Sequence, residues 1–303
     1  MTSSYTAALS AAREAAADQH YPLGTLYIVA TPIGNLADIT LRALHVLGLV
    51  DSIACEDTRH TQSLLRAYGI DKPAAQLLAV HQHNEAQAAQ QVIDQLRQGH
   101  RIAYVSDAGT PGISDPGARL VAAARAQGLR VVGLPGASSV ITLLSAAGVI
   151  ETGLDTSGFV FVGFLPSKAG ERSLAVQQLA QQPRAVVLLE APHRIEALAQ
   201  AIAPLGQRLL TIGRELTKQF EEFATMPADT LAAWLSQDSN RLRGEFALVL
   251  HPAPVAATAG EDSRVLQLLL EQLPLKTAVK LTAEITGQPK NALYDLALSL
   301  NNS

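Results

Sequence analysis

The stretch richest in chemical possibility runs from Val105 to Gly117 and reads VSDAGTPGISDPG. It sets two carboxylates, Asp107 and Asp115, among three glycines and two prolines. A positioned carboxylate can accept a proton from a weakly acidic group as that group reacts. Glycine lets the backbone approach a ligand closely, and proline fixes a loop before the ligand arrives, which lowers the ordering cost of binding. The apolar run Arg101–Val105 that precedes this loop predicts a buried parallel strand. Residues 115–127 predict a helix ending at Gly128. The loop therefore falls at the carboxyl end of a strand, where open α/β sheets bind their ligands.

Two further loops share this grammar. Leu26–Ala30 opens into Thr31-Pro32-Ile33-Gly34-Asn35-Leu36, and Val131–Leu134 opens into Pro135-Gly136-Ala137-Ser138-Ser139. One Gly/Pro turn between strand and helix is ordinary architecture. Three in one sheet point to a shared ligand cleft. No G-x-G-x-x-G follows the first strand and no G-x-x-x-x-G-K-[ST] occurs anywhere, which argues against a standard dehydrogenase or NTPase.

Other polar clusters have two readings each. Glu56-Asp57-Thr58-Arg59 is either an acidic helix cap with Arg59 paired locally or a ligand-facing group. His81 and His83 would share a face of an extended segment, but no third ligand accompanies them and a polar loop accounts for them better, so no metal site is expected. Ala191-Pro192-His193-Arg194 starts a helix and would either hold an anion or cap. Arg214-Glu215-Leu216-Thr217-Lys218, followed by Glu221 and Glu222, is denser in charge than a strand end requires and reads as a solvated or substrate-facing loop.

The elements that must position these residues alternate as β and α. Strands are predicted at 26–30, 52–55, 77–80, 102–105 and 130–134, with helices at 38–49, 58–68, 84–98, 115–127 and 138–147. This is a doubly wound pattern with a mainly parallel sheet. Asn84 and Ser138 are candidate N-caps; Gly99, Gly128 and Gly148 are candidate stops. A second α/β module follows, with strands at 159–164, 185–190, 209–215 and 245–250 and helices at 171–181, 192–202 and 227–236. Helices at 263–272, 277–286 and 291–300 close the chain, the last two resembling a helix-turn-helix. The predicted organisation is a mobile, weakly helical tail (1–22), an N-terminal α/β domain (23–150), a C-terminal α/β domain (151–251), a Pro/Ala-rich linker (252–262) and a helical module (263–303).

Composition narrows the classes. The chain has 303 residues, 48% hydrophobic and 17% charged, as expected of a globular protein with two sizeable cores. No apolar run approaches a membrane span, and the N-terminus lacks the basic start and apolar core of a secretory signal. The single cysteine, Cys55, rules out an internal disulfide and fits a reducing cytoplasm. A net charge of −4 argues against a broad nucleic-acid-coating surface. The final helices carry balanced charge, which is weak for a DNA-binding regulator; they could instead only support a dimer.

Taken together, VATPIGNL (29–36), EDTRHT (56–61), VSDAGTPGISDPG (105–117), LPGAS (134–138), GFLPSK (163–168), RELTK (214–218) and GE (244–245) resemble the tetrapyrrole-methylase-like family, and within it an rRNA-modifying branch. The tail 274–298 resembles that branch's helical module. Ala137 stands where the family commonly has proline, and Leu189 where an aromatic is common.

The resemblance implies two α/β domains with S-adenosylmethionine in the cleft between them, and a homodimer. It implies methylation of a cytidine ribose 2′-oxygen in the decoding region of 16S rRNA within the 30S subunit. A tetrapyrrole-type small-molecule methyltransferase shares the fold and is the alternative. It further implies cofactor contacts from Pro32, Asp107, Ala108, Gly109, Thr110, Pro135, Gly136, Ala137, Ser138, Phe164, Leu216, Gly244 and Glu245. Asp115 is then the candidate catalytic base, Asp107 orients its loop or meets the cofactor, and Arg59, Arg214 and Lys218 are candidate contacts to RNA phosphates.

Overall fold

In the computed structural model, residues 5–81, 85–113, 117–150, 157–253, 259–287 and 289–301 are described. The first sheet contains Thr25–Ile28 (β1), Ser52–Cys55 (β2), Leu77–Ala79 (β3), Ile102–Val105 (β4) and Arg130–Gly133 (β5). Its order is β3-β2-β4-β1-β5 and every pairing is parallel. The residues of β2 and β4 are buried throughout, as expected of strands covered on both faces. Helices Leu41–Leu49 (α2), Thr58–Ala67 (α3), Glu85–Arg97 (α4), Ala118–Ala126 (α5) and Ser139–Ala146 (α6) join the strands. Thr40 caps α2 and Asp57 caps α3 through side-chain acceptors.

The N-terminal segment differs from the expected loose tail. Thr6–Ala16 (α1) is a helix whose Ala12 and Ala16 are buried in one core with Ala43, Leu44 and Leu47 of α2. Tyr5 sets its ring edge-on to Tyr68, with centroids 5.2 Å apart. The alanine-rich sequence hides this docking, because its contact face is made of small side chains rather than a bulky apolar stripe. Further along, α5 starts at Ala118 with Gly117 at the N-cap, later than the expected start at Asp115. Asp115 itself lies outside the described residues, as do Asn84 and His83. Ser138 occupies the N-cap of α6, without a side-chain cap bond.

The second sheet contains Phe159–Phe164 (β6), Ala185–Glu190 (β7), Leu209–Arg214 (β8), Glu222–Pro227 (β9) and Phe246–Leu250 (β10), in the order β6-β7-β10-β8-β9. Only β6–β7 is parallel. Strand β9 is absent from the sequence reading. Its charged start and terminal proline look like a loop, and Pro227, expected to start a helix, ends this strand. Helices Ala169–Ala180 (α7), Ile195–Ile202 (α8) and Leu231–Ser236 (α9) cover the sheet. Arg208 is buried behind it and donates to the carbonyls of Leu179, Gln182 and His251, tying a helix end and two connections to one guanidinium.

One core does not follow the expected division, and another does. Val140, Leu143 and Ala147 of α6 and its C-cap pack with Ala185, Val187, Ala247 and Val249 of the second sheet. The connection out of the first sheet is therefore buried against the second. Ala259–Leu270 (α10), Leu275–Thr286 (α11) and Lys290–Asn301 (α12) have a core of their own around Leu266, Ala278, Val279, Leu293 and Ala297. Gly287, in the left-handed conformation at φ 74°, stops α11 before α12.

Gly117 shows how tightly the central loop is anchored. Its φ is +121°, and a Cβ there would lie 2.1 Å from the ring of Tyr104, which is fully buried. Gly117→Ala should cost about 3 kcal/mol through overpacking and backbone strain. A urea midpoint equal to that of the unaltered protein would refute this account of the loop.

Candidate functional site

A cavity of about 330 Å³ opens where the strand ends of the two sheets face each other. On the first side the loops are knitted together. Thr31 and Gly109 exchange backbone hydrogen bonds of 2.9 and 3.0 Å. The Thr31 hydroxyl donates to the Ser106 carbonyl at 3.1 Å, and the Thr110 hydroxyl to the Ala137 carbonyl at 2.9 Å. The loops after β1, β4 and β5 thus form one surface, from which Ile33, Ala108, Gly109, Thr110 and Ile113 face the cavity. Gly109 holds φ +80°, which a residue with a Cβ rarely adopts. Ser138 and Ser139 bring the N-terminus of α6 to the same wall, and the free N–H groups of such a terminus favour an anionic group.

The opposite wall comes from the second sheet. Leu189 and Glu190 end β7, and Phe246 and Ala247 pair with them in register on β10. Glu190 is 2% exposed. Its Oε1 accepts the Ala191 N–H at 2.9 Å and lies 3.1 Å from Arg194 Nε. Its Oε2 is buried with no donor among the described residues.

Leu216 reaches the cavity from a strained turn. Glu215 and Thr217, on either side of it, both hold positive φ, 51° and 67°. Such conformations cost about 1–3 kcal/mol each and persist only where the surroundings enforce them. Here the enforcement is an ionic knot. Lys218 Nζ donates to Glu215 at 2.9 Å and to Glu245 at 3.0 Å, and Glu215 also accepts the Glu245 N–H at 3.0 Å. Burial works to raise the Glu215 carboxyl, but these hydrogen bonds outweigh it and hold it below its ordinary range. Burial likewise works to lower Lys218, and the two carboxylates hold it above its ordinary value. The Lys218 stem lies across Gly34 of the first domain, where a Cβ would sit 2.4 Å from Lys218 Cγ.

Of the expected cofactor contacts, Ala108, Gly109, Thr110, Ser138, Phe164, Leu216 and Glu245 line the cavity. Pro32, Asp107, Pro135, Gly136, Ala137 and Gly244 stand behind or beside it. Asp107 accepts the Asp57 N–H at 3.3 Å, joining the loop to the end of β2. Gly136 is needed by packing, since a Cβ would come 2.6 Å from Ala30 Cβ. Gly244, at φ +92°, leaves room for the Glu215 side chain.

The expected phosphate contacts fare differently. Arg59 is exposed, its side chain pinned to Asp57 at 2.9 Å. Its hydrogen bonds hold the Asp57 carboxyl down at about 2. Arg214 is buried and donates to the carbonyls of Arg243 and Phe220, so it braces the fold instead of meeting a phosphate. Lys218 is occupied by the knot. Ile33, Ile113 and Ser139 reach the cavity from the three expected loops and Leu189, Ala191 and Pro192 from positions the sequence singles out, whereas Val140, Glu190, Phe246 and Ala247 line it without having been expected there. Most are apolar residues at strand or helix ends, whose types carry no chemical signal until the topology gathers them. Among the described residues, no group of three or more histidine, cysteine or acidic side chains could hold a metal ion. No described helix is long and apolar enough to cross a membrane.

Comparison with known proteins agrees with this geometry. Residues 25–232 match the model of the tetrapyrrole (corrin/porphyrin) methylases, and residues 256–301 that of the RsmI C-terminal HTH domain. The ribosomal RNA small subunit methyltransferase I of Escherichia coli O157:H7 is 48% identical over 279 residues, covering 91% of this chain and 95% of that protein. The protein of the same name from Pseudomonas aeruginosa is 47% identical over 283 residues, covering 91% and 97%.

Among solved structures, a cobalt precorrin-4 methyltransferase matches with a TM-score of 0.54 at 17% identity, over 75% of this chain and 94% of that one. A diphthine synthase matches with 0.55 at 13%, over 75% and 90%. These two share the fold. With the family model spanning both α/β domains and near-half identity over nearly full length, the chain belongs to the tetrapyrrole methylase family, in its ribosomal RNA small subunit methyltransferase I group.

Proposed function

We propose that this protein methylates a cytidine ribose 2′-oxygen in the decoding region of 16S rRNA, acting on the 30S subunit in the cytoplasm. The observation that carries the reading is the joint one of cavity and relatives. A pocket at the strand ends is built by the motif loops of a family whose near-half-identical relatives are named for small-subunit rRNA methylation. The finer position, the cytidine 2′-oxygen, is what the resemblance of the sequence motifs implies.

The cofactor is S-adenosylmethionine. The cavity suits it: apolar walls from Leu189, Leu216, Phe246 and Ala247 for the adenosine, and polar loop backbone with the α6 N-terminus for the methionine carboxylate. Bound there, it supplies an electrophilic methyl carbon. The protein's part is to hold the ribose oxygen in line and to exclude water.

A ribose hydroxyl is a very weak acid, so a carboxylate helps as the proton leaves. Asp115 is proposed for that task. It lies in the sequence between Ile113, which lines the cavity, and Gly117, which opens α5. Arg59, in the first turn of α3, is exposed and is the proposed phosphate contact.

The homodimer is supported by the outer edge of the second sheet, where β6 exposes Phe159 and Val162. Apolar side chains on an unpaired edge invite a partner. Phe159→Glu with Val162→Glu should yield a monomer in sedimentation; a pair of substitutions that left the dimer intact, or an unaltered protein found monomeric, would remove this face from the proposal.

Labelled S-adenosylmethionine incubated with 30S subunits should give 2′-O-methylcytidine on nucleoside analysis, at rates at least tenfold above those on naked 16S rRNA. The margin follows from the negative net charge, which leaves affinity to shape more than to phosphate attraction. Base methylation, or label passing only to a small tetrapyrrole, would refute the reading. Asp115→Asn should fold, bind S-adenosylhomocysteine normally and lose turnover about a hundredfold or more. Near-normal turnover in the folded variant would eliminate Asp115 as the base.

A further inference from the structure

The least explained group in the cavity wall is Glu190. It ends β7, is almost fully buried, and one of its two carboxylate oxygens is satisfied by the Ala191 N–H and faced by Arg194. The other, Oε2, is buried without a donor among the described residues, in a residue that lines the cavity. Buried carboxylate oxygens are ordinarily hydrogen-bonded, and leaving one unpaired is costly. Were Glu190 there only to pair with Arg194, both oxygens would be expected to be spent on that neighbourhood. Arg194 instead turns Nη2 away to the Leu165 carbonyl.

We infer that Glu190 is a cofactor-binding residue, its Oε2 accepting a hydrogen bond from an N–H or O–H donor on the adenosine half of S-adenosylmethionine. This rests on the cofactor reading above. The choice of half follows from the surroundings. Leu189, Phe246 and Ala247 make the wall beside Glu190 apolar and suited to a flat base, whereas the methionine zwitterion is served by the loop backbone and the α6 N-terminus opposite. The adenosine half offers only neutral donors, the base amine and the ribose hydroxyls. A carboxylate accepts from these roughly twice as strongly as a neutral oxygen would. An acceptor in an apolar wall also discriminates, since a ligand lacking the donor leaves the buried Oε2 without a hydrogen bond.

Calorimetry with two probes tests the assignment. S-Adenosylhomocysteine carries both halves; 5′-methylthioadenosine carries the adenosine half alone. Glu190→Gln keeps the size of the side chain and removes its charge, and should weaken both probes equally, by about tenfold. Glu190→Asp keeps the charge but draws it back from the cavity, and should weaken both as well. Arg194→Met removes the ion pair while leaving the carboxylate, so it should lower the melting temperature with a smaller loss of affinity for either probe. A folded Glu190 variant that binds both probes as tightly as the unaltered protein overturns the assignment. So does a loss confined to S-adenosylhomocysteine, which would move the contact to the methionine half. So does unchanged affinity for both probes with a raised KM for 30S subunits, which would move it to the RNA. Failure of the unaltered protein to bind S-adenosylhomocysteine would instead sink the cofactor reading itself.

Discussion

Everything in the site depends on two sheets meeting with their strand ends face to face, and the Lys218 knot is where that meeting is enforced. Lys218 belongs to the second sheet's turn, yet its stem crosses Gly34 in the loop after β1. Its ammonium is gripped by Glu215 and Glu245. The same grip holds Glu215 and Thr217 in left-handed conformations and so points Leu216 into the cavity. An exposed ion pair contributes little. This one is partly buried, doubly accepted and coupled to backbone geometry, so its role is to select one arrangement of a turn that would otherwise relax.

The second constraint is apolar. Gly213 of β8 leaves room for two leucines: a Cβ there would come 2.8 Å from Leu216 and 2.9 Å from Leu143. Leu143 lies on α6, which leaves the first sheet and packs with the second. The helix that presents Ser138 and Ser139 to the cavity is thus fixed by the domain opposite. Cavity shape and domain arrangement are the same fact, because moving one sheet would carry part of the other's wall with it.

Much of this was legible in the sequence. The parallel sheet, its order of elements and the three motif loops follow from apolar runs that end in Gly/Pro segments, and those loops do line the cavity. What escaped had physical reasons. Docking of α1 rests on Ala12 and Ala16, whose smallness permits close approach but gives no amphipathic signal. Strand β9 begins with Glu222, whose carboxylate serves both Arg241 and Arg214. Glu190 reads as the polar end of an apolar strand, since nothing in its own type or spacing reveals that one oxygen is left without a donor among the described residues. The charge of RELTK was visible but its use was not: Arg214 and Lys218 are consumed internally, and only three-dimensional pairing distinguishes a brace from a free cation.

That pairing also bears on how the site responds to pH. Glu215 is held below the ordinary carboxylate range, so its contribution is present above that range and lost only as pH falls through the lowered value. Lys218 is held above its ordinary value, so its contribution is present below that value and lost only as pH rises beyond the raised one. Both limits lie far from neutrality. The charges of the knot are therefore unchanged around neutrality. A change in turnover near neutrality then has its origin in groups other than Glu215 and Lys218.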